Sequence, residues 1–174
     1  MNLKDLIKKK NPIEYIIYWA IYTSVIALDM MTKFLSYALL RLVDTVPIIK
    51  GVIHFTYVEN RGAAFGMLKE HRWVFITISS VVSLAILAYL LLGHADSRLL
   101  GVSLAMISAG GISNLIDRVS LGYVVDFIDF RLINFAVFNV ADSCICIGAG
   151  LTILYLILEM KKEIEQKRAG RDGN

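Results

Sequence analysis

Cysteine, proline and histidine are scarce in this chain, and each scarcity removes a class of chemistry. The 174 residues hold 2 cysteines, 2 prolines and 3 histidines. Cys144 and Cys146 stand two apart in an apolar run, where a helix points them in different directions. They therefore do not readily bridge one another and read as small residues packing between helices. Neither has metal-type spacing with His54, His71 or His94. There is no HExxH pair and no His-based triad. The net charge is only +3, and no aromatic platform is interleaved with a basic stripe, which argues against a nucleic-acid partner. If the chain is an enzyme, carboxylates are the catalytic groups left to it.

What the sequence has in excess is apolar length. Hydrophobic residues make up 57% of it and the mean hydropathy is +0.64, against roughly 45–50% apolar in ordinary soluble domains. The apolar residues come in runs, which predicts a single membrane-embedded domain over 1–174. Spans are expected at about 13–36, 73–93, 98–116 and 138–158. Outer loops would then cover about 37–72 and 117–137, with tails at 1–12 and 160–174. Trp73–Gly93 is the cleanest run, uncharged and long enough for a hydrocarbon core of roughly 30 Å. The run from Leu99 is rich in small residues such as Gly101, Ala105, Gly110 and Gly111, which let membrane helices approach closely. The basic start could belong to a signal peptide, but the run from Tyr15 continues to Leu40 with no small-x-small cleavage site, which favours a retained first helix. The last residues, from Glu159, are expected to fray from a helix end.

Lysines 4, 8, 9 and 10 precede the first run, and Lys161, Lys162, Lys167, Arg168 and Arg171 follow the last. An even number of spans and basic residues at both ends place both termini in the cytoplasm. The basic residues of the first outer loop, Lys33 to Arg72, count against that orientation. Within this loop Val52–Val58 alternates as a strand does, and Glu59-Asn60-Arg61-Gly62 follows as a turn.

Polar groups concentrate between Asn114 and Asp142. Asn114 and Asp117 share a helix face, as do Asn139 and Asp142, and Arg118 adjoins the first pair. Val124–Phe130 reads as extended, which sends Asp126 and Asp129 to opposite sides. Earlier, Asp29 and Lys33 are spaced i,i+4, either as a helix-end charge pair or as support for an active centre. Groups of this kind are costly near a bilayer and mark function. A strand-borne Asp126 facing a helix-start Asp142 would make a carboxylate dyad that shares a proton and activates water against a peptide bond. Other readings remain: a metal-dependent lipid headgroup transferase using Asp126 and Asp129, a small transporter subunit, or a structural subunit whose polar groups cap helices.

Five ordered blocks carry a resemblance: Asp29-x-x-Thr32-Lys33, Asn60-Arg-Gly62-Ala-Ala-Phe65-Gly66, Gly110-Gly-x-x-Asn114-x-x-Asp117-Arg118, Gly122-x-Val-Val-Asp126-Phe-Ile, and Phe138-Asn139-x-Ala141-Asp142. The chain resembles the bacterial lipoprotein signal peptidases, also called signal peptidase II. The resemblance implies an α-helical membrane enzyme of four transmembrane helices, with a small extracytoplasmic β-sheet cradle and a short outer-loop helix. It implies an enzyme in the cytoplasmic membrane, cutting a diacylglyceryl-modified prolipoprotein before its lipidated cysteine, amid membrane lipid and with no metal or organic cofactor. The sequence leaves the oligomeric state open, and four short spans able to work alone favour a monomer. It assigns Asp126 and Asp142 as the catalytic pair. Asn60 and Arg118 become substrate-binding residues, also contacted by the antibiotic globomycin. Asp29, Gly62, Asn114, Asp117 and Asn139 become supporting positions. Ser113 departs from the glycine many members carry, and Ala136 from a common proline.

Overall fold

The structure, a computed structural model, describes residues 11–62 and 72–172. Four helices and one small sheet follow in the order α1 (Pro12–Leu40), β1 (Val46–Ile49), β2 (Ile53–Asn60), α2 (Arg72–Leu91), α3 (Arg98–Ser120), β3 (Val124–Phe130) and α4 (Val140–Asp172). Of short helices outside these, the described residues contain the 3-10 turn Arg131–Ile133. Phe65 and Gly66 of the second block lie outside the described residues.

Local chemistry sets the ends of these elements. Asn11 caps α1 by accepting from the Ile13 N–H, with Pro12 in the first turn where its missing N–H costs nothing. Ser97 caps α3 by accepting from the Leu100 N–H. Beyond the end of α3, Gly122 takes φ +84°, a left-handed conformation that glycine reaches without a Cβ penalty, and the chain turns into β3.

α3 is the central helix. It packs against α1, α2 and α4, and half of its most apolar stretch is buried. α1 and α4 instead turn large apolar side chains outward, including Ile16, Phe34, Leu39, Ile147 and Ile153. Outward apolar faces around a polar centre suit lipid, not water, as the surrounding solvent. Close approach of α3 and α4 relies on Gly110, where a Cβ would stand 2.6 Å from the Ala141 carbonyl oxygen. Tyr18 of α1 lies over Gly101 of α3 within a cluster that includes Leu90 and Leu100.

α1, α3 and Val140–Ala169 of α4 are long and apolar enough to cross a membrane. The apolar stretch of α2, Ile76–Leu91, is shorter, so the fourth expected span rests on that helix. The tail expected to fray is helical through Asp172. Its Glu, Lys and Gln residues are good helix formers, and Lys162 pairs with Glu159 one turn back.

The sheet has the order β1-β2-β3 and is antiparallel throughout. A register irregularity in β2 falls between Phe55 and Val58. Val58 pairs with Asp126 and Asn60 with Val124, so the end of β2 lies beside the acidic stretch of β3. The rings of Phe55 and Phe127 meet edge to face, as do those of Tyr57 and Tyr37, tying the sheet to itself and to α1. A bridge from Ile128 to Phe138 then delivers the chain to the start of α4.

Candidate active site

Three asparagines and two aspartates form the centre. Asn139 is the N-cap of α4. Its Oδ1 accepts from the Asp142 N–H at 2.9 Å, and its own N–H donates to Asp142 Oδ2 at 3.2 Å. This reciprocal pair is a capping box in which the second partner is a candidate catalytic carboxylate. The Asn139 Nδ2 points the other way and donates to Asp126 Oδ1 at 2.7 Å. One buried amide thus joins the strand-borne aspartate to the helix-borne one.

The other two asparagines repeat this logic. Asn60 Oδ1 accepts from the Gly62 N–H at 3.0 Å, and its Nδ2 donates to Asp126 Oδ2 at 2.9 Å. Asn114 Oδ1 accepts from Lys33 Nζ at 2.9 Å, and its Nδ2 donates to Asp142 Oδ1 at 2.8 Å. In each case a group that can only donate takes the amide oxygen. The amide NH2 is thereby turned onto a carboxylate. Both aspartates end up wrapped by donors, the arrangement that holds a buried carboxylate in one orientation.

Burial still dominates at Asp126, which is 2% exposed. Desolvation, with the neighbouring Asp142 charge adding to it, pushes its carboxyl up to about 7 against the pull of Asn60 and Asn139. Asp126 is therefore divided between its protonated and ionised forms near neutrality. Asp129 behaves oppositely. Its burial is outweighed by Arg131 and Thr56, which bond its Oδ2 at 2.7 and 2.9 Å and hold it below the usual carboxylate range. With β3 extended, Asp126 and Asp129 serve different partners, and the pair needed by a headgroup-transferase reading does not form. Among the described residues, no group of three or more His, Cys, Asp or Glu side chains could hold a metal ion.

Asn60, Gly62, Arg118, Asp126 and Asp142 line one cavity of about 400 Å³. Phe135–Phe138, Ser143 and Cys146 complete its wall. Arg118 reaches it from the end of α3, and its guanidinium also donates to the Asn114 carbonyl at 3.3 Å. The cavity thus offers a cation and paired carboxylates beside an apolar wall.

Behind this cavity sits a second layer. Asp29 is fully buried. Its Oδ1 accepts from the Ala141 N–H at 2.7 Å, and its Oδ2 accepts from Ser113 Oγ at 2.7 Å. Lys33 Nζ contacts Asp29 Oδ2 at 2.7 Å and Asp117 Oδ2 at 2.9 Å. Asp117 also accepts from the Val125 N–H at 3.2 Å, fixing β3 to α3. The Asp29–Lys33 pair is therefore a buried link between α1, α3 and α4. Two members of this layer, Lys33 and Ser113, stand outside the site residues expected from sequence. Lys33 was visible as the i+4 partner of Asp29 and as the end of the first block, with no site role, and Ser113 only as a departure from the family's glycine. Their decisive contacts join residues more than 80 positions apart. Cys146, given no role from sequence, is part of the cavity wall.

A family model described as signal peptidase (SPase) II matches residues 21–158. The lipoprotein signal peptidase of Brevibacillus brevis is 43% identical over 146 residues, 83% of this chain and 97% of that protein. That of Caldanaerobacter subterraneus is 50% identical over 134 residues, 77% of this chain and 90% of that protein. Among solved structures, a bacterial membrane enzyme determined by the in meso method matches with a TM-score of 0.77 at 29% identity, covering 84% of this chain and 90% of the other. A second bacterial membrane enzyme gives 0.72 at 30%, covering 80% and 92%.

Fold and relatives together define an aspartic-type peptidase built on membrane helices. The chain belongs to the signal peptidase II family.

Proposed function

We propose that this chain removes the signal peptide from diacylglyceryl-modified prolipoproteins, cutting before the lipidated cysteine, with Asp126 and Asp142 as the catalytic dyad. The observation that carries the reading is the pair of carboxylates, Asp126 buried and Asp142 half-buried, joined through Asn139 at the wall of the 400 Å³ cavity. Asp126, raised to about 7, supplies the acid, and Asp142 the base.

A water oxygen attacks the scissile carbonyl carbon as Asp142 takes a water proton and Asp126 gives its proton to the carbonyl oxygen. The C–N bond then breaks. Asp142 passes its proton to the leaving nitrogen, and a hydroxyl proton of the intermediate returns to Asp126. Both carboxyls end as they began, which permits turnover without a cofactor. Asn60 and Arg118 hold the substrate backbone beside the dyad, and globomycin-type inhibitors occupy the same residues. Asp29, Asn114, Asp117, Asn139 and Gly62 support the constellation.

The wider proposal is one domain over 1–174, monomeric, crossing the bacterial cytoplasmic membrane four times with both termini inside. The sheet and the dyad then lie near the outer face. A cleavage assay tests the reaction. Purified protein receives lipidated and unmodified precursor, each with excess chelator. Loss of a signal-peptide-sized fragment from the lipidated form alone is expected, and its disappearance in folded Asp126→Asn and Asp142→Asn. Full cleavage by either variant refutes the dyad.

A further inference from the structure

The dyad faces charged groups from several elements: Asp29 and Lys33 from α1, Asp117 and Arg118 from α3. Of these, Lys33 has the most constrained surroundings. It is 4% exposed, and its three donors meet three acceptors, Asp29 Oδ2, Asp117 Oδ2 and Asn114 Oδ1, at 2.7–2.9 Å. It does not line the cavity that holds Asp126 and Asp142. It borders a separate one with Tyr37, Asp117 and Tyr123. Its charge is felt at both aspartates through space, and its bonded route to Asp142 runs through one neighbour.

That neighbour is Asn114. A primary amide presents an oxygen at one end and an NH2 at the other, and the two ends are nearly equal in size. Nothing in shape alone prevents the amide from turning over, so its orientation is set by its partners. An ammonium has no acceptor, so it admits only the oxygen. With the oxygen held at Lys33, the NH2 lies 2.8 Å from Asp142 Oδ1. Turned over, Asn114 would set a carbonyl oxygen against Asp142 and an NH2 against an ammonium. Asn139 donates to the same Asn114 oxygen at 3.1 Å, so the choice also fixes the amide that joins the two aspartates.

We propose that Lys33 is a positioning residue of the peptidase: by holding the oxygen of Asn114 it keeps the amide NH2 on Asp142, and so keeps that carboxylate ready as the base. This rests on the dyad reading above. Asp29 and Asp117 serve in turn to hold Lys33 in place.

The test uses full-length protein in detergent with lipidated precursor. Lys33→Met is expected to lower kcat about 10–100-fold, the usual loss when a partner behind a functional ligand is removed. KM is expected to stay near its original value, because Lys33 lies away from the substrate cavity. The acid limb of the kcat profile moves to higher pH, since the ionised base loses both a nearby cation and a firmly held amide donor. In an Asn114→Leu background the same change is expected to cost much less, because the bonded route from Lys33 to Asp142 is already cut and only the field of the charge remains.

Lys33→Met alone leaves two buried carboxylates without their cation and can fail to fold. The pair Lys33→Met with Asp117→Asn keeps the local net charge and is compared with Asp117→Asn alone. A folded pair with the kcat and pH profile of Asp117→Asn overturns the proposal. So does a Lys33→Met loss that is equally large in the Asn114→Leu background. Full cleavage by Asp142→Asn would instead bring down the dyad reading, and this proposal with it.

Discussion

Replacing Asn139 by serine separates the two duties of that residue. A serine oxygen at an N-cap accepts from the third residue of the helix much as asparagine does, so the bond from the Asp142 N–H survives. The donor to Asp126 Oδ1, 2.7 Å away in the native site, is lost. A hydrogen bond to a charged group contributes about 1.5–3 kcal/mol, and one pH unit corresponds to about 1.4 kcal/mol. Removing a donor that favours the ionised form should therefore keep Asp126 protonated to a pH about 1–2 units higher. The sign follows from the role. If Asp126 is the acid, activity falls as pH rises through its value of about 7. The alkaline limb of kcat/KM in Asn139→Ser should accordingly shift upward. The two carboxyls titrate as a coupled pair, so the limb reports on the dyad as a unit. The assay is cleavage of a lipidated fluorogenic peptide across pH in one detergent, with melting temperature as the control for folding. A folded variant whose alkaline limb stays in place or moves down would refute the assignment of the shared proton to Asp126.

Two further outcomes follow from the same contacts. Because the folded-state value of Asp126 lies above the ordinary carboxylate range, its contribution to stability is present at low pH and is lost as pH rises through about 7. Asp126→Asn should thus raise the melting temperature at pH 8 more than at pH 5, and an equal effect at both would contradict the burial argument. At Gly110 a Cβ would stand 2.6 Å from a backbone carbonyl, so Gly110→Ala should force α3 and α4 apart and cost about 1–3 kcal/mol, read as a lower melting temperature.

Apolar run length and helix-face spacing sufficed to locate the helices, and alternation with turn residues located β2 and β3. Asn139 and Asp142 were legible as an i,i+3 pair because both ends of a capping box lie in one turn. The extended reading of Val124–Phe130 separated Asp126 from Asp129 in advance. Contacts made across the bundle were not legible. The bonds of Lys33 to Asn114 and of Ser113 to Asp29 each span more than 80 residues. No local period encodes them, and a lysine four residues after an aspartate looks alike on a surface helix and in a buried site. The end of α4 departs from the expected fraying for a different reason. Polarity alone does not unwind a helix, and the tail consists of residues that favour one even where nothing packs on it.

The capping box at the start of α4 also has a bearing on when the enzyme acquires its power to cut. Asp142 lies on α4, after every other member of the site in chain order, and it adopts its orientation only when Asn139 and Asn114 hold it. On the dyad proposal, a chain inserted only as far as β3 carries Asp126 and the donors of Asn60 and Lys33 but lacks its base, so a product truncated before α4 is inert.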